Sequence, residues 1–270
     1  MLAAGVQGGS RPRTDLLRWR AQVDAPASGA ANMALDHALA SSVGPGQGVL
    51  RIYRWTRPTI SFGRNEPALG RYEVERALEA GIDFVRRPTG GRAVFHDREL
   101  TYAVVLPVSR GMRPRSVYQA IHRGLARALG ALGARVDAAG AEVGVVGPDA
   151  GPCFGRPAPG ELTAGGRKLV GSAQARVGGA ILQHGSLLIG SDQERLADLC
   201  VHGSEAGRAI GLKEVLGSEP PWSQVVDSVI EGMRDVLGGE WQRGGATDAE
   251  RSASDALREH YASPEWTWRR

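Results

Sequence analysis

Lysine is almost absent from this chain: of its 33 basic residues all but two, Lys168 and Lys213, are arginine. Arginine serves wherever only positive charge is needed, so a lysine kept within a motif points to a need for the ammonium itself. That group is a compact, rotatable donor which the planar guanidinium fork does not replace. Cysteine is equally scarce. Cys153 and Cys200 stand without a CxxC pair or histidines at ligand spacing, which argues against a structural zinc site and leaves each as a lone thiol. No uninterrupted apolar run approaches the ~18 residues that a membrane-spanning helix requires. The N-terminal MLAAGVQGGSRPR has arginines but no apolar core of a signal peptide, so residues 1–13 are expected to form a disordered extension, and a cytoplasmic location follows as the default. Neither GxxxxGK[ST] nor GxGxxG occurs, so a familiar nucleotide-binding fold is not indicated. The arginines are scattered rather than gathered with aromatics, which argues against nucleic acid as partner. The net charge of +4 suits an acidic protein partner instead, because complementary charge raises encounter rates.

What is present reads as one large domain over residues 14–270. LRWRAQV (17–23) alternates as a half-buried strand, and a helix capped by Ser28 follows. VLRIYRW (49–55) and TISFG (59–63) are short β-rich runs. A helix over 72–81 stops at Gly81, and IDFVRR returns to strand. RAVFH (92–96) and LTYAVVLPV (100–108) read as two more strands. The clearest amphipathic helix covers 116–133. Residues 138–167, rich in Gly and Pro and containing Cys153, read as one long loop of the kind that tends to carry function. KLVGSAQAR and AILQHGSLLI form a hairpin about Gly178-Gly179. Beyond residue 190 the pattern is helical. Strands and helices that do not alternate regularly predict an α+β fold with a mixed β-sheet flanked by helices.

Three places hold candidate chemistry. RRPTGGRAVFHD (86–97) sets two arginines beside a Gly-Gly turn, where backbone N–H groups can approach a phosphate or carboxyl oxygen, although a plain hairpin turn reads the same way. His96 and His184 each stand at the end of a strand. Cys153 lies 15 residues before Lys168; only a thiolate attacks, a nearby cation favours it, and Lys168 is the candidate cation. Cys200, after apolar helical residues, fits a buried structural role.

The motifs ANMALDHAL (31–39), RRPTGGRAVFHDRELTYAVV (86–105) and GRKLVGSAQARVGGAILQHGSLL (166–188) together resemble the lipoate-protein ligase A branch of the biotin/lipoate protein ligase superfamily. The resemblance implies that superfamily's catalytic domain, with the arginine-glycine loop and Lys168 around a medium-chain acyl group. It implies substrate-binding positions at Arg86, Arg87, Gly90, Gly91, Arg92, His96, Gly171, Ser172, Ala173, His184 and Gly185, and no metal. The scaffold hosts both ATP-dependent ligases, which would need ATP and magnesium, and octanoyltransferases, which work through a cysteine thioester. GGRAV and ELTY in place of the ligases' third glycine and GN pair, with Cys153-Phe154 upstream of GRK, are similar to LipM-type octanoyltransferases. That membership implies catalytic Cys153 and Lys168 and no required cofactor. It also implies octanoyl-acyl carrier protein as donor and a lipoyl domain or glycine cleavage H protein as acceptor. Backbone N–H groups about Gly90 and Gly91 would face the oxyanion, and Val94, Leu169, Ile181 and Leu182 would wall the acyl tail. A catalytically inactive acyl-binding protein on the same scaffold is the remaining alternative.

Overall fold

The computed structural model describes residues 16–140, 153–155, 158–201 and 209–270. The extension expected over 1–13 and residues 141–152 of the Gly/Pro-rich stretch lie outside them. The chain opens with β1 (Arg18–Val23), α1 (Gly29–Ser42), β2 (Gln47–Tyr53) and β3 (Thr59–Phe62). Next come α2 (Val74–Glu79), β4 (Asp83–Arg86), β5 (Val94–His96), β6 (Glu99–Pro107) and α3 (Pro114–Ala131). Three short strands, β7 (Asp137–Ala138), β8 (Leu162–Ala164) and β9 (Arg167–Lys168), precede the hairpin of β10 (Val170–Val177) and β11 (Ala180–Leu188). The rest comprises α4 (Glu194–Ala197), α5 (Leu212–Leu216), α6 (Trp222–Leu237), β12 (Glu240–Arg243), α7 (Asp248–Ala262) and α8 (Pro264–Thr267).

The main sheet has six strands in the order β10-β11-β6-β2-β1-β12, antiparallel from β10 to β2 and parallel from β2 through β1 to β12. This is the mixed, helix-flanked sheet the sequence predicts. Side chains alternate across a strand, and β6 shows the consequence. Leu100, Tyr102, Val104 and Leu106 face a core built with α3 and α6, while Ala103 and Val105 face one built with α1. Ser28 caps α1 as expected, its hydroxyl accepting from the Ala31 N–H. The C-terminal part expected to be helical carries five helices among the described residues and, besides them, β12, which extends the sheet where Trp241 stacks on Trp19 with ring centroids 5.0 Å apart.

Two smaller sheets position the chemistry. β4-β3-β5 carries the arginine-glycine loop between β4 and β5. β7-β8-β9 sets Lys168 opposite Thr163, so the long loop expected over 138–167 is partly ordered into strand. Among the described residues no helix is long and apolar enough to cross a membrane.

Candidate active site

Cys153 starts a single turn of 3-10 helix, Cys153–Gly155, anchored where its own N–H donates to the Ala93 carbonyl at 2.9 Å. Phe154, fully buried against Val94 and Leu188, pins that turn to the protein. From β9 the Lys168 ammonium reaches the Cys153 carbonyl at 3.0 Å and the Cys153 Sγ at 3.3 Å, over the Phe154 ring. Gly171 makes this approach possible, since a Cβ there would come within 2.9 Å of Phe154 and 3.2 Å of the Lys168 side chain. The lysine is only 1% exposed. A buried ammonium needs a counterion, and the Glu161 carboxylate supplies it at 2.7 Å. The sequence reading did not single out Glu161. It lies in the Gly/Pro-rich stretch, where no periodicity marks an inward-facing residue, and the chemical demand of a buried lysine was the one available signal.

The loop after β4 approaches from the other side. Arg87 donates to the carbonyl and hydroxyl of Ser61, both at 2.6 Å, and to the carbonyls of Gly90 and Arg92, so it braces the loop from within. Gly91 sits at φ +92°, in the left-handed region, and its carbonyl passes so close to Gly63 that a Cβ on Gly63 would lie 1.8 Å away. Arg92 donates to the Cys153 carbonyl at 3.1 Å and so ties the loop to the cysteine turn. Gly91 lines the cavity beside Cys153, whereas Gly90 does not. Arg86, expected among the substrate-binding residues, is not brought into this cavity either. Adjacent residues of a strand point to opposite sides, and Arg86 turns from the cavity to donate to the carbonyls of Gly63, Glu66 and Thr267.

A cavity with about 410 Å³ of empty space, part of it open to solvent, brings together Cys153, Arg87, Gly91, Val94, His96, His184 and the β10–β11 positions Gly171, Ser172, Ala173 and Gly185. Met33, Tyr53 and Trp55 add apolar wall. Of the expected acyl wall only Val94 is there; Leu169 and Ile181 face the α3 and α6 core, and Leu182 the α1 core. Both histidines use both ring nitrogens. His96 lies 2.6 Å from the Ser61 hydroxyl and 2.7 Å from Glu99, with its ring stacked on Trp55. His184 lies 2.6 Å from the Thr89 hydroxyl and 2.9 Å from Asp36. The hydroxyls in these two acid–histidine–hydroxyl chains are fully buried, so the chains lock the loop and the walls rather than present a serine or threonine nucleophile. Among the described residues, no three His, Cys, Asp or Glu side chains stand together as a metal site.

Asp36 links α1 to this wall. It accepts from Arg51 at 2.7 Å and from Tyr53 at 2.9 Å, besides facing His184. Burial alone would raise its pKa, but Arg51 and His184 outweigh burial and hold it below the ordinary 3.8. A depressed carboxylate pKa contributes stability that is fully present above that ordinary value and is lost as pH falls toward the folded-state one. Asp36→Asn leaves Arg51 with Asp24 and the Asn32 oxygens. It is therefore expected to cost about 3 kcal/mol, the low end for a broken buried pair, read by urea unfolding at neutral pH. The deficit should shrink as the pH is taken below 3.8.

A model of the lipoyl protein ligase A/B catalytic domain family matches residues 28–234. An octanoyltransferase LipM from Kyrpidia tusciae is 38% identical over 93% of this chain and 99% of the relative. One from Staphylococcus aureus is 32% identical over 88% of this chain and 94% of the relative. Among solved structures, lipoate-protein ligase A bound with ATP superposes with a TM-score of 0.79 at 23% identity, covering 93% of this chain and 99% of that one. A putative lipoate protein ligase from T. acidophilum with bound lipoic acid gives 0.78 at 23% identity, covering 94% of this chain and 100% of that one. At that identity the structural likeness shows the fold alone.

Proposed function

The chain belongs to the lipoyl protein ligase A/B catalytic domain family, and we propose that it is an octanoyltransferase of lipoate biosynthesis carrying its acyl group on Cys153. Relatives with that activity match nearly its whole length. The observation that supports the covalent route is the Lys168 ammonium 3.3 Å from the Cys153 sulfur at an apolar cavity. In the first step the Cys153 thiolate attacks the thioester carbonyl of octanoyl-acyl carrier protein. A bond forms to Sγ, and the carrier's sulfur leaves with the electron pair. In the second, the amine of a lysine on a lipoyl domain or glycine cleavage H protein attacks the Cys153 thioester. The amide forms, the electron pair returns to Sγ, and the proton that the amine gives up to solvent balances the one that the departed carrier thiolate takes from it.

Lys168 stabilises negative charge on the sulfur at the start and the end of this cycle, and Gly91 offers backbone to the developing oxyanion. The cavity takes the acyl tail. Burying about seven methylene-sized groups at ~0.8 kcal/mol each gives roughly 5 kcal/mol of binding. His96 and His184 act as fixed walls, because their ring nitrogens are committed. Residues 14–270 form one catalytic unit in this reading, located in the cytoplasm, and the mildly basic surface suits acidic protein partners.

The route needs no ATP, and that separates it from a ligase. Transfer from octanoyl-acyl carrier protein to a lipoyl domain is expected to run at the same rate with and without ATP and magnesium. Modification of the domain from free octanoate or lipoate, and only with ATP, would assign the chain to the ligases.

A further inference from the structure

His122 lies on α3 and is 4% exposed. Most buried residues of that helix are apolar, and nothing in the transfer chemistry above uses an imidazole there. Its hydrogen bonds nevertheless run toward the catalytic pair. Nδ1 is 2.7 Å from the Gly160 carbonyl. A carbonyl only accepts, so Nδ1 carries the proton and Nε2 is left as an acceptor. Nε2 is 2.9 Å from the Ser172 hydroxyl, which therefore donates to it. The Tyr102 hydroxyl, 2.7 Å from Ser172, then donates to that oxygen. Every proton in the chain Tyr102, Ser172, His122, Gly160 has one direction. Burial lowers the His122 pKa to about 4, with the nearby Lys168 charge adding to the effect, so the ring is neutral at neutral pH and the directions hold.

The pinned carbonyl shares a peptide group with the N–H of Glu161. That N–H donates to the Ala158 carbonyl at 3.0 Å, and the Ala158 N–H returns a bond to the Glu161 carboxylate at 2.6 Å. The same carboxylate oxygen holds the Lys168 ammonium. Gly160, at φ +85°, forms the turn. The Ala139 backbone holds the Gly160 N–H and the Glu161 carbonyl, both at 2.8 Å, and His122 holds the carbonyl between them.

We propose that His122 is a positioning residue for the Lys168–Cys153 pair: by holding the Gly160 carbonyl it sets the Glu161 carboxylate, and through it the ammonium beside the sulfur. It touches neither substrate nor sulfur. The role rests on the reading of Cys153 as nucleophile, but its test needs no acyl substrate.

The test is the alkylation rate of Cys153 by iodoacetamide at neutral pH, in a Cys200→Ser background so that one thiol reports. His122→Leu removes the bond to Gly160 and is expected to slow alkylation about tenfold or more, since displacement of order 1 Å in a catalytic group can cost up to 100-fold. His122→Gln, whose amide can donate to the Gly160 carbonyl, should recover most of the rate. In a Glu161→Gln background His122→Leu should have little further effect, because the route runs through that carboxylate. Should His122→Leu not fold, Ser172→Ala removes the other anchor of the ring, and a several-fold slowing is expected there. Wild-type alkylation rates in the folded variants, or equal losses for Leu and Gln, would overturn the proposal. Normal effects on alkylation without any octanoyl transfer by the wild type would instead overturn the function proposed above and leave His122 in its place.

Discussion

Cys153→Ala is expected to abolish octanoyl transfer, with a loss on the order of 10⁴-fold or more in kcat. Removing the nucleophile of a covalent mechanism leaves only the positioning and electrostatic remainder, and effects of that order and larger are typical. The substitution is a clean probe of chemistry. The thiol is half-buried at the edge of a small apolar cluster with Val94 and Phe154, and losing one sulfur there costs on the order of 1 kcal/mol. The fold should survive. Because Cys153 also holds the turn through its backbone, by its N–H to Ala93 and its carbonyl to Lys168 and Arg92, alanine keeps those bonds. Steady-state transfer with thermal unfolding measured in parallel separates lost chemistry from lost structure. A residual rate within tenfold of wild type would rule out the thioester route.

Lys168→Arg should lower kcat about 100-fold while leaving the KM for donor nearly unchanged, the range found when one donor that stabilises transition-state charge is lost. The substitution keeps the charge and the partner Glu161 but replaces a point donor with a longer planar fork. Lys168 fits between the Phe154 ring, the Glu161 carboxylate, and the carbonyl and sulfur of Cys153. A guanidinium that satisfies Glu161 cannot also place one N–H on the sulfur in the same space. Lys168→Met is a poorer probe. It leaves Glu161 buried without its cation, a loss of about 3–5 kcal/mol that mixes folding with catalysis. Equal activity for lysine and arginine would show that charge alone is required and would remove the reason for reading anything into the scarcity of lysine.

That scarcity was legible from the first, and so was much of the scaffold. Alternation in LRWRAQV gave β1, Ser28 gave the start of α1, and Gly178-Gly179 gave the turn of the β10–β11 hairpin. The pairing of Cys153 with Lys168 was also expected from the spacing and the resemblance together, and the two side chains meet. What sequence could not supply is which side of a strand faces the cavity. Leu169, Ile181 and Leu182 are apolar and near the motif, yet each points into a core; alternation is visible in one sequence, but which parity faces a ligand depends on packing elsewhere. β12 went unseen because EWQR is short and mostly exposed, and only its parallel pairing with β1 makes it a strand. Asp36 and His184 are 148 residues apart, and no local pattern announces such a contact.

The central claim is that Cys153 carries the acyl group, and the most direct measurement is the mass of the protein after mixing with octanoyl-acyl carrier protein alone, before any acceptor is added. One octanoyl increment is expected, on the peptide holding Cys153, released by hydroxylamine and discharged when a lipoyl domain is supplied. Octanoyl transfer that proceeds at full rate while Cys153 stays unmodified throughout would contradict the account.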